Sequence, residues 1–298
     1  MTMRVLALLM GVWLPWQSAS LPTRVNQKDE AELARIPAGT FLMGSDASEL
    51  QAIWKRLNWD SSELEFTKAE QPAHRVTLDS FWMYRTLVTV AQFRAFAGAT
   101  GRAMPDPPSY GWADDHPMVK NTWAEADAYC TWAGGQLPTE AQWEYAARGG
   151  RTGLNGTPRT VFAWGDDLPS STRVANLADE TFKRSGYYSA NFHQFVGYDD
   201  GVVTASAVRA FPPNGYGIFD VAGNVLEWVA DWYADDYYAH SPVANPRGPA
   251  TGTRKVLRGG AFDTIPTITR LARRLGNDPT IRHDEKGFRC VQPMAPAR

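Results

Sequence analysis

Residues 256–274 read VLRGGAFDTIPTITRLARR: a glycine pair, then small polar residues, then an arginine cluster, the make-up of an active-site wall. The stretch holds no cysteine, histidine, serine or lysine, so it brings no ready nucleophile and no soft metal ligand. What it brings is Asp263 as a base, the hydroxyls of Thr264 and Thr269, and Arg270, Arg273 and Arg274 as holders of an anion or carboxylate. The competing reading is that the arginines pair with acids and fix loops. The residues alone leave both open.

A second constellation lies in FPPNGYGIFDVAGNVLEWVADWY, residues 211–233. Asp220 and Glu227 bracket a Gly223-Asn224 turn, so carboxylates and backbone carbonyls converge there as they do around a hard cation such as calcium. The spacing is not that of an EF-hand loop. The alternative is a turn with a solvated Asp220 and a helix-starting Glu227. The acidic GYDDGVV stretch at 197–203, with Asn176 upstream, is equally two-sided. The five histidines, His74, His116, His193, His240 and His283, show no HxH or HxxxH spacing, which argues against a histidine-built zinc or iron site. No nucleophile elbow, phosphate loop or dinucleotide fingerprint is present.

The elements that must position these residues announce themselves by their caps. TVAQ from Thr89, TWAE from Thr122 and TEAQ from Thr139 are capping boxes, each starting a helix of roughly nine to twelve residues. The second helix should stop at Gly134-Gly135 and the third at Gly149-Gly150. The first turns Val90, Phe93 and Phe96 or Ala97 inward; the second turns Ala126, Tyr129, Cys130 and Ala133 inward. RIPAGTFLMGS and HRVTLDSFWMYR alternate as strands do. Beyond residue 150 the pattern gives way to turn-rich stretches such as PPNGYG and ANPRGPATG. With 12 Trp, 11 Tyr, 25 Gly and 20 Pro in 298 residues, this predicts one irregular α+β domain pinned by aromatic side chains.

The N-terminus, MTMRVLALLMGVWLPWQSASLP, has one early cation at Arg4, a short apolar run and small residues at 18–20, which reads as a secretory signal peptide over residues 1–20. A periplasmic or secreted protein with no membrane span in its mature chain is expected. Cys130 and Cys290 are the only cysteines, free to pair in an oxidising compartment or to remain as buried thiols. A net charge of −2 gives no pull toward nucleic acid.

Taken together, IPAGTFLMGS, GGQLPTEAQWEYAARGG, FPPNGYGIFDVAGNVLEW, VLRGGAF and GFRCV occur in the order found in the formylglycine-generating enzyme (sulfatase-modifying factor) family, which the chain resembles over about residues 33–292. The resemblance implies a variant C-type-lectin-like fold with little regular structure and a Cys130–Cys290 disulfide. It also implies structural calcium, one ion on Asn176, the Leu177 carbonyl, Asp200 and the Val202 carbonyl, and another on Asp220, Gly223, Val225 and Glu227. Asp220 stands where the family has an asparagine.

The same resemblance marks what is missing. Members that make formylglycine hold copper(I) between two cysteines five residues apart after a GGS motif, and those positions fall on Thr264 and Thr269. A neutral, hard hydroxyl does not replace a thiolate as a soft copper ligand. Ala261 stands in place of the motif's serine, and Leu226 in place of the tryptophan of GNAWEW. No copper and no sulfatase activation are therefore expected. What the family leaves are an oxidative maturation enzyme, as for a siderophore chromophore, or an accessory factor of an exported enzyme such as nitrite reductase, acting on an unidentified peptide or protein. The alternative is a binding module without catalysis.

Overall fold

The computed structural model describes residues 21–187 and 194–294, so the expected signal peptide and His193 lie outside the described residues. In chain order the strands are β1 (Thr23–Val25), β2 (Glu32–Ile36), β3 (Gly39–Met43), β4 (His74–Leu78), β5 (Phe81–Tyr84), β6 (Leu226–Trp232), β7 (Lys255–Arg258), β8 (Leu275–Asn277), β9 (Lys286–Phe288) and β10 (Val291–Pro293). The helices are α1 (Ala47–Leu57), α2 (Val90–Thr100), α3 (Trp123–Trp132), α4 (Glu140–Ala147) and α5 (Glu180–Arg184), with a 3-10 segment over Ser61–Glu70.

The three expected helices form because their caps are complete. Thr89, Thr122 and Thr139 each accept from the backbone amide three residues on, and Gln92, Glu125 and Gln142 each take the amide of their threonine at 2.9 Å. After α3 the chain reverses at Gly134 (φ 80°), and after α4 at Gly149 and Gly150 (φ 57° and 94°), backbone that glycine enters without strain. The inward residues named from periodicity are all buried. The sequence reading did not place α1, although Asp46 and Glu49 form a fourth capping box before it.

The two alternating stretches become β2 with β3 and β4 with β5. Sheet order β1-β2-β5-β10 joins the N-terminal strands to the C-terminal one, and β3 pairs with β4. In the third sheet, β8-β7-β6-β9, β6 runs antiparallel to β7 and parallel to β9. This sheet positions the candidate residues, since Glu227 lies in β6 opposite Arg258 of β7, and β7 runs directly into the Gly259-Gly260 pair. Glu227 thus sits on a strand, which corrects the helix-starting alternative.

Cys130 and Cys290 are bonded, with their Cα atoms 5.5 Å apart, and tie the last turn of α3 to the segment between β9 and β10. Both are fully buried. The bridge closes a sequence separation of 160 residues. Reduction should therefore cost about 5 kcal/mol in the chain-entropy account. Urea unfolding with and without reductant measures that loss, and two reactive thiols in the denatured, unreduced protein would contradict the bridge.

Asp231 on β6 is buried and accepts the Glu140 amide at the start of α4 at 2.8 Å. Burial, and after it the Glu140 carboxylate, pushes its carboxyl up to about 7. The folded state therefore holds a proton that the unfolded chain, with a carboxyl near ~3.9, has released. The resulting stability is full below the unfolded value and is lost as pH rises through the folded one. Asp231→Asn keeps the acceptor and removes the charge. Between pH 5 and pH 8 it should lose less stability than the parent, by roughly 2–3 kcal/mol. Superimposable pH profiles in urea titrations would show that Asp231 is ionised in the fold.

Candidate functional site

Gly259 and Gly260 both have positive φ, 97° and 74°, and both are approached closely. A Cβ on Gly259 would lie 3.1 Å from the Trp143 ring; one on Gly260 would lie 2.8 and 2.9 Å from the hydroxyls of Thr264 and Thr269. The pair folds residues 261–269 back over the end of β7. The result is that Thr264 Oγ1 and Thr269 Oγ1, five residues apart in sequence, stand 3.3 Å apart and buried. Each is also tied to backbone. Thr264 Oγ1 accepts the Ala261 amide at 2.9 Å and lies 3.1 Å from the Ala261 carbonyl, while Thr269 Oγ1 donates to the Ile265 carbonyl at 3.3 Å. Ala261 and Leu226 are buried in one apolar cluster with Leu257 and Phe288.

The arginines of the wall have fixed partners. Arg270 is bidentate to Glu70 at 2.7 and 2.8 Å and lies over the Trp54 ring at 4.8 Å. Arg274 is bidentate to Glu140 at 2.8 and 2.9 Å and donates to the Ala69 and Ala234 carbonyls, both at 3.0 Å. Arg273 donates to the Phe66 carbonyl. At the head of the wall, fully buried Arg258 bonds Glu144 and the Leu271 and Ala272 carbonyls, and Glu144 also takes Arg148 at 2.6 Å. Burial works to raise the Glu144 carboxyl, but Arg148 and Arg258 hold it below its ordinary value. Of the two readings left open for these arginines, Arg270 and Arg274 take the one in which they pair with acids and fix loops: their charge is already neutralised by Glu70 and Glu140. These acids, and Arg258, were not among the residues named from sequence, because their partners lie 200, 134 and 114 positions away.

Asp263 is buried beside the same loop, and its charge acts on Tyr110 and on Lys286 of β9. Burial pushes the Lys286 amine down, opposed by Asp263, and pushes the Tyr110 hydroxyl up. Neither residue was flagged by spacing. Lys286 is brought to the loop by β9 pairing with β6 at Leu226↔Lys286, and Tyr110 by its edge-on contact with the Phe262 ring at 6.1 Å and its hydrogen bond to the Asp284 carbonyl at 2.6 Å.

The two carbonyl-and-carboxylate sets lie against each other. Gly223 packs so closely on the Asn176 carbonyl that a Cβ would fall 2.1 Å from it, and the Asn224 amide donates to that carbonyl at 2.8 Å. In the first set Asp200 is buried and takes the Leu177 and Val202 amides, each at 2.8 Å. Burial pushes its carboxyl up to about 7, with the Asp179 charge adding to the rise. Asp179, a buried residue not named from sequence, caps α5 and accepts the Asp200 amide. Asn176 Oδ1 is buried with no hydrogen-bond partner among the described residues, although its amide nitrogen is bonded to the Thr204 carbonyl at 2.8 Å. Two desolvated carboxylates beside an orphaned amide oxygen fit a hard cation.

The second set differs. Both oxygens of Glu227 are taken by Arg289, at 2.6 and 2.8 Å, and Arg289 also reaches the Phe219 and Asp220 carbonyls. Asp220 is buried at φ 55° and accepts the Arg209 amide at 3.1 Å. Burial pushes its carboxyl up to about 6. The set is therefore partly neutralised by the chain itself and fits a cation less well than the first.

The sulfatase-modifying factor enzyme 1-like domain matches residues 18–294. The formylglycine-generating enzyme of Streptomyces coelicolor is 33% identical over 86% of this chain and 88% of its own. Mouse inactive C-alpha-formylglycine-generating enzyme 2 is 27% identical over 96% and 93%. The solved structure of PvdO from Pseudomonas aeruginosa superposes with a TM-score of 0.68 at 26% identity, covering 92% of this chain and 98% of that one. The α+β, variant C-type-lectin-like class expected from the sequence is the fold of this chain.

Proposed function

Because the chain belongs to the sulfatase-modifying factor enzyme 1-like domain family, we propose that it is an exported maturation or accessory protein that engages a peptide or protein client and does not make formylglycine by the copper route. One observation carries this reading: the hydroxyls of Thr264 and Thr269 meet at 3.3 Å at the positions where the resemblance puts the copper-binding thiolates. Both hydroxyls are neutral and hard, and both are bonded to backbone, so they supply no thiolate pair for copper(I). That Arg270 and Arg274 are held by Glu70 and Glu140 gives them a role in fixing the wall and leaves it without a free arginine pair for catalysis. The buried Cys130–Cys290 bridge supports residence in the periplasm or outside the cell.

Incubated with copper(I) and a peptide carrying the sulfatase motif, the parent protein should leave the peptide cysteine unchanged by mass spectrometry. The double substitution Thr264→Cys, Thr269→Cys should raise copper(I) affinity, because the two positions already face each other. Aldehyde formation by the parent would overturn the reading, and a cysteine pair that binds no copper would show that these positions are not the ones the family uses.

We also propose calcium as a structural ion, held by Asn176, the Leu177 carbonyl, Asp200 and the Val202 carbonyl in preference to the set around Asp220 and Glu227. Its chemistry is charge neutralisation: it offsets the Asp179 and Asp200 carboxylates and takes the orphaned Asn176 oxygen. A chelator should lower the melting temperature. At an ion concentration about 100-fold over Kd the stabilisation lost is about 2.7 kcal/mol. Asn176→Ala should abolish the chelator effect. Glu227→Ala should destabilise with or without chelator, since it strands the buried Arg289 charge. No bound calcium and no chelator effect would remove the proposal.

A further inference from the structure

Two cavities of about 660 and 290 Å³ lie side by side on the outer face of the wall and share Glu63, Ile265 and Thr267, forming one trough. Its lining is apolar and aromatic: Ile265, Pro266 and Ile268 from the loop that carries the two threonines, Trp54 and Trp59 from α1 and the turn after it, and Phe66 of the 3-10 segment. Phe66 is 60% exposed, a large apolar ring left facing solvent at the trough edge.

The charges decide what fits. Arg270, under the smaller cavity, is neutralised by Glu70, and Arg273 at its far end is occupied with the Phe66 carbonyl. The larger cavity has only Asp60 and Glu63 as charged lining, and both are acidic. Asp60 caps the 3-10 segment by accepting the Ser62 amide at 2.9 Å. The Glu63 carboxylate, half-buried where the two cavities meet, makes no hydrogen bond or ion pair with any described residue, although the Glu63 backbone amide donates to the Asp60 carbonyl at 3.1 Å. A purely apolar occupant would strip water from this carboxylate and leave it unpaired, which costs more than the apolar contact returns. An occupant with a cation at that point removes the penalty. Arg273 at the far end keeps a second cation away from the smaller cavity.

We propose that the trough over residues 265–268 is a docking site for an extended peptide segment in which one basic side chain, seated on Glu63, is flanked by apolar side chains that fill the two cavities. The proposal rests on the reading that this protein engages a peptide or protein client, and names the chemistry of that client. The site is preformed, since Arg270–Glu70 and Arg273 to the Phe66 carbonyl fix both of its walls. Little ordering is needed on binding.

The test uses the whole mature chain and a fluorescein-labelled peptide, Gly-Leu-Ala-Arg-Ala-Phe-Gly, read by fluorescence anisotropy. Two control peptides are run beside it, one with glutamate for the arginine and one with alanine for leucine and phenylalanine. The arginine peptide should bind, and both controls should bind at least about tenfold more weakly. Glu63→Gln should weaken the arginine peptide by about tenfold, and Glu63→Lys should reverse the preference toward the glutamate peptide. Phe66→Ala should weaken the arginine peptide while leaving its charge preference intact. All three variants change exposed or half-buried positions, and unchanged melting temperatures confirm that they fold. Absence of binding up to about 1 mM, equal affinity for arginine and glutamate peptides, or an affinity indifferent to Glu63→Gln would each overturn the site. The assay does not involve copper or aldehyde. Failure here with an unmodified sulfatase peptide sinks this site alone, and aldehyde formation with normal peptide docking sinks the functional reading alone.

Discussion

A guanidinium taken out of water must be met by a carboxylate at bonding distance, and this chain meets that requirement four times around one wall. Glu70 holds Arg270, Glu140 holds Arg274, Glu144 holds Arg258 together with Arg148, and Glu227 holds Arg289. Such pairs add little net stability over apolar packing, but breaking one strands a buried charge at a cost of about 3–5 kcal/mol. Their effect is therefore positional. Segments 62 to 200 residues apart have one register at which these four carboxylates meet their arginines. The loop from 258 to 274 is clamped to α4 at its head and tail, and to the 3-10 segment in between.

The residues inside that clamp are relieved of any duty to hold the wall in place. Thr264 and Thr269 touch each other and nearby backbone, and neither takes part in the ion pairs. Side chains at these two positions can thus differ between relatives without unlocking the scaffold. The same separation accounts for a chain that keeps its scaffold motifs while its wall carries hydroxyls and no thiols. What the hydroxyls require in turn is Gly260, because any side chain there would occupy the space in which they meet.

Legibility in the sequence follows the range of the interaction. The three threonine caps were readable because donor and acceptor sit three residues apart, and the inward faces of α2 and α3 because a helix repeats. The fourth cap, Asp46 with Glu49, uses the same local code with aspartate in place of threonine. The juxtaposition of Thr264 and Thr269 came from the resemblance, since nothing in their spacing requires two threonines to face each other. Glu70, Glu140 and Glu144 look like surface acids on helical segments; only the tertiary fold buries them. Lys286 is another such case. It lies in a run of charged residues, Arg282 to Lys286, that reads as solvated, yet pairing with Leu226 carries it inside.

The two loops proposed around a hard cation show why composition could not rank them. On paper the second set is the stronger, with two carboxylates seven positions apart against one in the first. In the fold the order reverses. Arg289, from the far end of the chain, takes both oxygens of Glu227 and leaves Asp220 as the carboxylate not engaged by that cation. Meanwhile α5 delivers Asp179 to the side of Asp200, doubling the charge of the first set, and the amide nitrogen of Asn176 is drawn to the Thr204 carbonyl with its oxygen left bare. Unanswered negative charge, and not the number of acids in a motif, is what a cation is drawn to, and that quantity is set by which arginine the rest of the chain brings within reach.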